Sequence, residues 1–208
     1  MSARVVILTK DPVPGRVKTR LIPALGPEGA ARFHTALVHT TLDLVGASGL
    51  DAVVSLSGDL EGAFARDIRA RGFATEAQAP GDLGARLRHA LRGPGRRLAL
   101  GTDCPLLDPA SLRAAAVAPQ PVVIGPAEDG GYWMIAIDAP DDHLFTDVPW
   151  SSPQTRAVTL QRARERGHEI AFAPEHYDID TPTELSRLLS APRCPARLRA
   201  AAPAHFSA

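Results

Sequence analysis

What this chain lacks narrows the field before anything it contains is considered. Only two of its 208 residues are cysteines, Cys104 and Cys194. One sits in a strand-end pattern and the other in a Pro/Arg-rich stretch, so neither a disulfide framework nor a zinc site is expected. Net charge is zero, with 23 basic and 23 acidic side chains. A surface for nucleic acid or for membranes would carry a basic excess, and neither partner is expected. No apolar run approaches the roughly 20 residues that span a bilayer. The first strand begins within a few residues of Met1, which leaves no room for a signal peptide, so a reducing cytoplasm is the expected setting. There is no internal repeat, no H-E-x-x-H, no G-x-S-x-G elbow and no Walker A spacing.

What is there is a globular composition, 45% hydrophobic and 22% charged, long enough for one sizeable core. The run at residues 5–8 is short and β-branched, as in a strand buried on both faces. Residues 10–25, with three prolines and Gly15, read as a long loop. An apolar stripe through His34, Leu37 and Thr41 predicts a helix over 27–47, and there His34 reads as packed rather than catalytic. Strands are predicted at 51–56, 73–78, 97–100, 122–124, 132–137 and 170–172. Helices are predicted at 60–71, 82–91 (N-capped by Asp82), 109–117, 153–166 (opened by a capping box at Ser151–Gln154) and 181–189. This alternation predicts a three-layer α/β/α sandwich around a mostly parallel sheet, with ligands at the carboxyl ends of the strands. Residues 1–190 read as a single nucleotide-binding domain, and residues 191–208 as a partly disordered tail. The sequence is silent on oligomeric state; a homodimer is compatible with it.

Five segments are candidates for chemistry. After the first strand, Lys10, Arg16, Lys18 and Arg20 face only Asp11, and Gly15 lets backbone approach a ligand. Such a loop suits several phosphate oxygens at once, the alternative being a solvated basic loop. Asp103, in Gly101-Thr-Asp-Cys-Pro105, leaves an apolar strand where a hard cation could meet it, or it caps a turn. Asp178 and Asp180 share a face if the chain stays extended; alternatively Asp180 N-caps the last helix. Asp129, Gly130 and Gly131 form either an acceptor-binding loop or a hairpin turn. Gln78, Gly81 and Gly84 offer an amide and close approach for a base, or simply a turn with a helix cap. Trp150 either walls a substrate pocket or packs.

In this order, Thr9-Lys-x-Pro-x-Pro-Gly-Arg-x-Lys-Thr-Arg-Leu21, Gly81-Asp-Leu-Gly84, Gly101-Thr-Asp-Cys-Pro105, Gly125-Pro-Ala-Glu-Asp-Gly-Gly-Tyr132 and Asp178-Ile-Asp-Thr-Pro182 resemble a bacterial transferase family. Its members have a glycosyltransferase-A (GT-A) type fold and are labelled radical-SAM/selenodomain-associated transferases or arsenosugar-biosynthesis glycosyltransferases. The resemblance spans residues 4–189. More distantly the layout is similar to 2-phospho-lactate and molybdenum-cofactor guanylyltransferases. It implies that Lys10, Arg16, Lys18 and Arg20 hold phosphates, that Gln78, Gly81 and Gly84 face the base, that Asp103 and Asp180 bind Mg²⁺ or Mn²⁺, and that Asp129, Gly130 and Gly131 shape the acceptor side. Beside the resemblance, the loop itself adds Gly15 to the phosphate set and gives Lys18 and Asp129, with Asp103, a catalytic role. The place of Trp150 before a helix adds it to the acceptor side, although packing is the favoured reading for it. The glycine-rich Ala-Gly-Gly-x-Ser-type loop of sugar-nucleotide pyrophosphorylases is replaced by residues 9–15, which weakens the case for sugar-1-phosphate chemistry.

Two enzymatic readings follow. In the first, an NTP gives its nucleotidyl group to a small phosphorylated or hydroxylated acceptor; four cations suit a triphosphate. In the second, an NDP-sugar gives its sugar, with Asp129 as base. Nucleotidyl transfer ranks first on the residues, and the family's label favours the second. A non-catalytic nucleotide-binding protein is the third reading, opposed by the cost of placing Asp103 and Asp180 in a site without a metal or partner.

Overall fold

The computed structural model describes residues 3–202. Seven strands form one sheet: β1 (Arg4–Lys10), β2 (Asp51–Ser57), β3 (Ala74–Ala77), β4 (Arg97–Leu100), β5 (Val122–Pro126), β6 (Tyr132–Ile137) and β7 (Ile170–Phe172), in the spatial order β3-β2-β1-β4-β6-β5-β7. All neighbours pair in parallel except β6, which runs antiparallel to both β4 and β5. The mostly parallel α/β sheet expected from the alternation is therefore present. Strand β1 sits centrally because its Val5, Val6 and Ile7 are wholly buried. A residue of that kind on each face lets helices cover both.

The helices are α1 (Ile22–Ser48), α2 (Ala63–Ala70), α3 (Leu83–Ala90), α4 (Pro109–Val117), α5 (Thr155–Glu165), α6 (Pro182–Ser190) and α7 (Ala196–Ala201). Helix α1 starts five residues before the predicted Pro27. It is interrupted at Gly26, whose φ of 68° and ψ of 166° are non-helical. Asp82 caps α3 as expected, accepting the Ala85 N–H at 2.8 Å.

The capping box does not fall at Ser151, which adopts a left-handed φ of 57°. Helix α5 instead begins at Thr155 with no side-chain cap. The box belongs to α6, where Thr181 and Glu184 cap reciprocally. Asp180 is therefore not the N-cap; it lies one residue ahead of it. The segment after residue 190 is folded as far as Ala202. Its helix α7 packs on α1 and buries Leu198 completely. Residues 203–208 of the expected tail lie outside the described residues. Among the described residues no helix is long and apolar enough to cross a membrane.

Strand order reverses at β1, which has β2 on one side and β4 on the other. That reversal opens a crevice beyond the carboxyl ends of β1 and β4, where ligands of open α/β sheets bind. Because β6 runs backwards, its first residues, not its last, reach the same edge. The Gly101 N–H donates to Trp133 O at 3.2 Å, tying the two ends together.

Candidate active site

A cleft of about 620 Å³ lies at that edge, a volume typical of small-molecule sites. Lys10, Arg16, Lys18, Arg20, Gln78, Asp103, Asp129, Gly131 and Asp180 all line it. With Asp178, which lines it too, ten of the residues picked from sequence, drawn from five separated segments, converge on one cavity.

The basic loop leaves β1 and is fixed at two points. Val17 is buried beneath it. Asp11, its lone acid, accepts the Asp59 N–H at 2.8 Å and lies so close to Gly58 that a Cβ there would meet its carboxyl at 2.2 Å. Asp11 therefore pins the loop to the end of β2 rather than neutralising the cations. Lys10, Arg16 and Arg20 are exposed. Among the described residues, Arg20 is the one of these with an acidic neighbour, Asp180 at 3.6 Å.

Lys18 differs from the other three. Its backbone is left-handed, φ 44° and ψ 44°, a conformation that L residues with a Cβ adopt at a cost. The turn sends its side chain inward, where only 5% remains exposed. There Nζ contacts Asp103 Oδ1 at 2.7 Å, Asp180 Oδ1 at 2.9 Å and Ile179 O at 2.7 Å. Three acceptors meet an ammonium with three donors. Burial alone would draw the Lys18 pKa down, but the two carboxylates outweigh it and the net shift is upward. Burial likewise pushes Asp103 up, yet the charge and hydrogen bond of Lys18 hold it below the usual carboxylate range. Lys18, expected among the phosphate ligands, is thus committed to the two acids expected to hold metal.

Asp103 and Asp180 come together because the Ile179 N–H donates to Asp103 O at 2.9 Å and Ile179 itself is fully buried. Their side chains remain 43% and 41% exposed toward the cleft. Hard divalent ions take one or two carboxylates and complete their shell with substrate oxygens and water. This pair has that chemistry. No group of three or more His, Cys, Asp or Glu suited to a metal occurs among the described residues, so an ion here would draw on ligand oxygens.

Asp178 lines the same cleft but is engaged by a thiol. Cys104 Sγ donates to its Oδ1 at 2.7 Å. Burial raises the Asp178 pKa to about 6, helped by the nearby charges of Asp103, Asp129 and Asp180. Burial and Asp178 also push the Cys104 thiol well up, which makes it a neutral donor. Asp129 Oδ1 accepts the Gly131 N–H at 2.8 Å, closing the β5–β6 turn; the hairpin reading of that segment holds, with Asp129 exposed at the cleft. Gln78 donates from Nε2 to Ser55 O at 3.1 Å, while its Oε1 is buried without a partner.

The remaining choices do not line the cleft. Gly15 and Gly81 take positive φ at turns, 79° and 103°. Gly84 is buried against Trp150, whose ring a Cβ would meet at 2.9 Å. Trp150 stacks on Phe145, with centroids 6.4 Å apart, so it packs instead of walling a pocket. Gly130 abuts Pro153 O. Sequence reasoning missed Arg86, Tyr132, Ser151 and Ser152, which do line the cleft. Arg86 stands one turn into α3 beside the Gly81–Gly84 motif, and that spacing was its only signal. His34 also reaches the cleft, but its Nε2 lies 3.1 Å from Lys10 O, and burial lowers its pKa. It is a packed, neutral ring holding the end of β1.

A protein from Desulfovibrio desulfuricans G20, provisionally described as a nucleotide-diphospho-sugar transferase, is similar at 26% identity and TM-score 0.83, over 96% of this chain and 94% of its own. The 4-diphosphocytidyl-2C-methyl-D-erythritol synthase of Anaerococcus prevotii is similar at 10% identity and TM-score 0.57, over 88% and 94% of the two chains. Glucosyl-3-phosphoglycerate synthase of Mycobacterium tuberculosis, solved with Mn²⁺, UDP and glucosyl-3-phosphoglycerate, gives 12% and 0.55, over 93% and 80%. No curated protein matches the sequence. The fold is therefore of the nucleotide-diphospho-sugar transferase, GT-A type, a type shared by nucleotidyl and glycosyl transferases. A family profile matches residues 40–152, a span that includes Asp103 and Asp129 and leaves out Lys18 and Asp180. On that match the chain belongs to the family of uncharacterized proteins conserved in bacteria, DUF2064.

Proposed function

We propose that this chain is a metal-dependent nucleotidyltransferase that moves a nucleotidyl group from an NTP to a small phosphorylated or hydroxylated acceptor. The observation that carries this reading is the set of exposed cations Lys10, Arg16 and Arg20 on the same cleft as the paired carboxylates Asp103 and Asp180. The cations meet the β- and γ-phosphates, Arg by paired hydrogen bonds and Lys as a point charge. Asp103 and Asp180 would hold Mg²⁺ or Mn²⁺, which supplies charge neutralisation at the phosphates. The acceptor oxygen forms a bond to the α-phosphorus as the bond to pyrophosphate breaks. The loop cations then stabilise the charge that grows on the leaving group. Gln78 borders the base, with its unpartnered Oε1 as the acceptor to be satisfied. The acceptor occupies the side bounded by Asp129, Gly131 and Arg86.

Glycosyl transfer from an NDP-sugar is the second reading. It is favoured by the description of the Desulfovibrio relative and by an exposed carboxylate, Asp129, at the cleft as base for an acceptor hydroxyl. Three open cations exceed what a diphosphate requires, so nucleotidyl transfer stands first.

Thermal shifts with each NTP and with NDP-sugars, with and without Mg²⁺ or Mn²⁺, test both. A ligand at about 100 times its Kd stabilises the fold by about 2.7 kcal/mol. The expected result is a metal-dependent shift with one NTP that exceeds the shift with the corresponding NDP and is absent in Asp103→Asn. A shift with an NDP-sugar, and none beyond the NDP with any NTP, transfers the assignment to glycosyl transfer. An undiminished shift in Asp103→Asn removes Asp103 from the metal site.

A further inference from the structure

We propose that Lys18 is a resident counter-ion of the Asp103–Asp180 pair, exchanged out when the nucleotide arrives, so that the divalent cation enters with the nucleotide and not ahead of it. This rests on the reading that Asp103 and Asp180 hold the metal.

The geometry forces a choice between the two cations. Lys18 Nζ lies 2.7 Å from Asp103 Oδ1 and 2.9 Å from Asp180 Oδ1, so it occupies an oxygen of each acid that would hold the metal. Two positive charges do not share those atoms at hydrogen-bond range. The ammonium is also well held: it is 5% exposed, and its third contact is a backbone carbonyl, Ile179 O at 2.7 Å. Displaced by a metal alone, it would lose both carboxylates while its stem remained buried, and a buried charge stripped of its counter-charges is strongly unfavourable. A free divalent ion therefore competes poorly.

A bound polyphosphate changes the balance. It offers Lys18 anionic oxygens in the same cleft, next to Arg16 and Arg20, so the ammonium trades carboxylate for phosphate and keeps its hydrogen bonds. A lysine stem is flexible enough to redirect its ammonium. Val17 and Leu21, buried on either side, keep the backbone still. The carboxylates released are then open to the metal that accompanies the phosphates. The left-handed backbone at Lys18 fits this role, since it is the turn that aims one of four cations inward while the others stay on the rim. Metal and nucleotide affinities become coupled, each raising the other by the same factor.

The test is Mn²⁺ binding to the full chain without nucleotide, read as loss of the free-ion electron paramagnetic resonance signal. Wild type is expected to bind Mn²⁺ weakly. Lys18→Met, which keeps the stem and removes the charge, is expected to bind at least tenfold more tightly, and adding Asp103→Asn should abolish the gain. Lys18→Gln serves in its place if the Met variant does not fold, and Lys18→Arg should bind as weakly as wild type. Equal Mn²⁺ affinity in wild type and the neutral variants, lost in Asp103→Asn, overturns the exchange and leaves the metal site standing. No Mn²⁺ binding in any variant overturns the metal site itself, and the exchange with it.

Discussion

Asp178 is the acid of the cleft placed to change charge near neutrality. Its folded pKa of about 6 lies above the ordinary carboxylate value because burial disfavours the anion. A raised acid pKa means that the folded state holds its proton more tightly than the unfolded chain does. The associated stability is complete below about pH 4 and is lost as pH rises through about 6. In metal-free protein, Asp178→Asn should therefore gain about 3 kcal/mol over wild type at pH 7.5 and little at pH 4. The substituted amide keeps the Oδ1 that accepts the Cys104 thiol. Urea titrations at the two pH values check this; an equal difference at both would show that Asp178 is not ionising in that window. At this scale the sequence pointed to most of the residues that line the cleft and missed their partners. Four cations within eleven residues looked alike. Nothing local shows that Lys18 alone turns inward, because its acceptors, Asp103 and Asp180, lie far along the chain. Trp150 was set at the pocket for a similar reason: Gly84, on which its ring packs, comes from elsewhere in the sequence.

Elements were legible where the pattern is local. Strands β4, β6 and β7 and helix α4 fall on their predicted bounds, each being a compact apolar run between turn residues. Ends went astray where capping depends on backbone angles: Ser151 looks like a cap but is left-handed, while Thr181 and Glu184 form the true capping box. Thr181→Ala should cost about 1 kcal/mol of unfolding free energy. It should also weaken nucleotide binding, because the cap fixes the residue after Asp180. A loss of stability with unchanged affinity would show that Asp180 is held by Lys18 alone. The turn between β5 and β6 is equally constrained. Gly130 has a φ of 88°, and a Cβ there would fall 2.2 Å from the backbone oxygen of Pro153. Gly130→Ala should destabilise the protein by about 2 kcal/mol or more, measured by urea denaturation, since the obstacle is main chain and cannot rotate aside.

For the whole molecule, alternating strands and helices were enough to give a mostly parallel sheet with its cleft at the switch beside β1. They did not give the reversal of β6, which follows from the short connection to β5 and from pairing across the sheet. The chain beyond residue 190 was the larger surprise. Its Pro/Ala/Arg composition hides a short apolar contact, with Leu198 against α1. Leu198→Ala should lower stability by about 2–4 kcal/mol, visible as a fall in Tm; a change within about 0.5 kcal/mol would return that segment to the status of a tail.

The contact of Lys18 with Asp180 closes across 162 residues. A nascent chain emerging from the ribosome completes β1 and its basic loop first, and gains Asp180 only after 162 further residues have been made. Until then Lys18 lacks one of its two acids, and the loop is more cationic than in the folded protein. Chains truncated or stalled before Asp180 should therefore cling to polyanions such as ribosomal RNA more than the folded protein does.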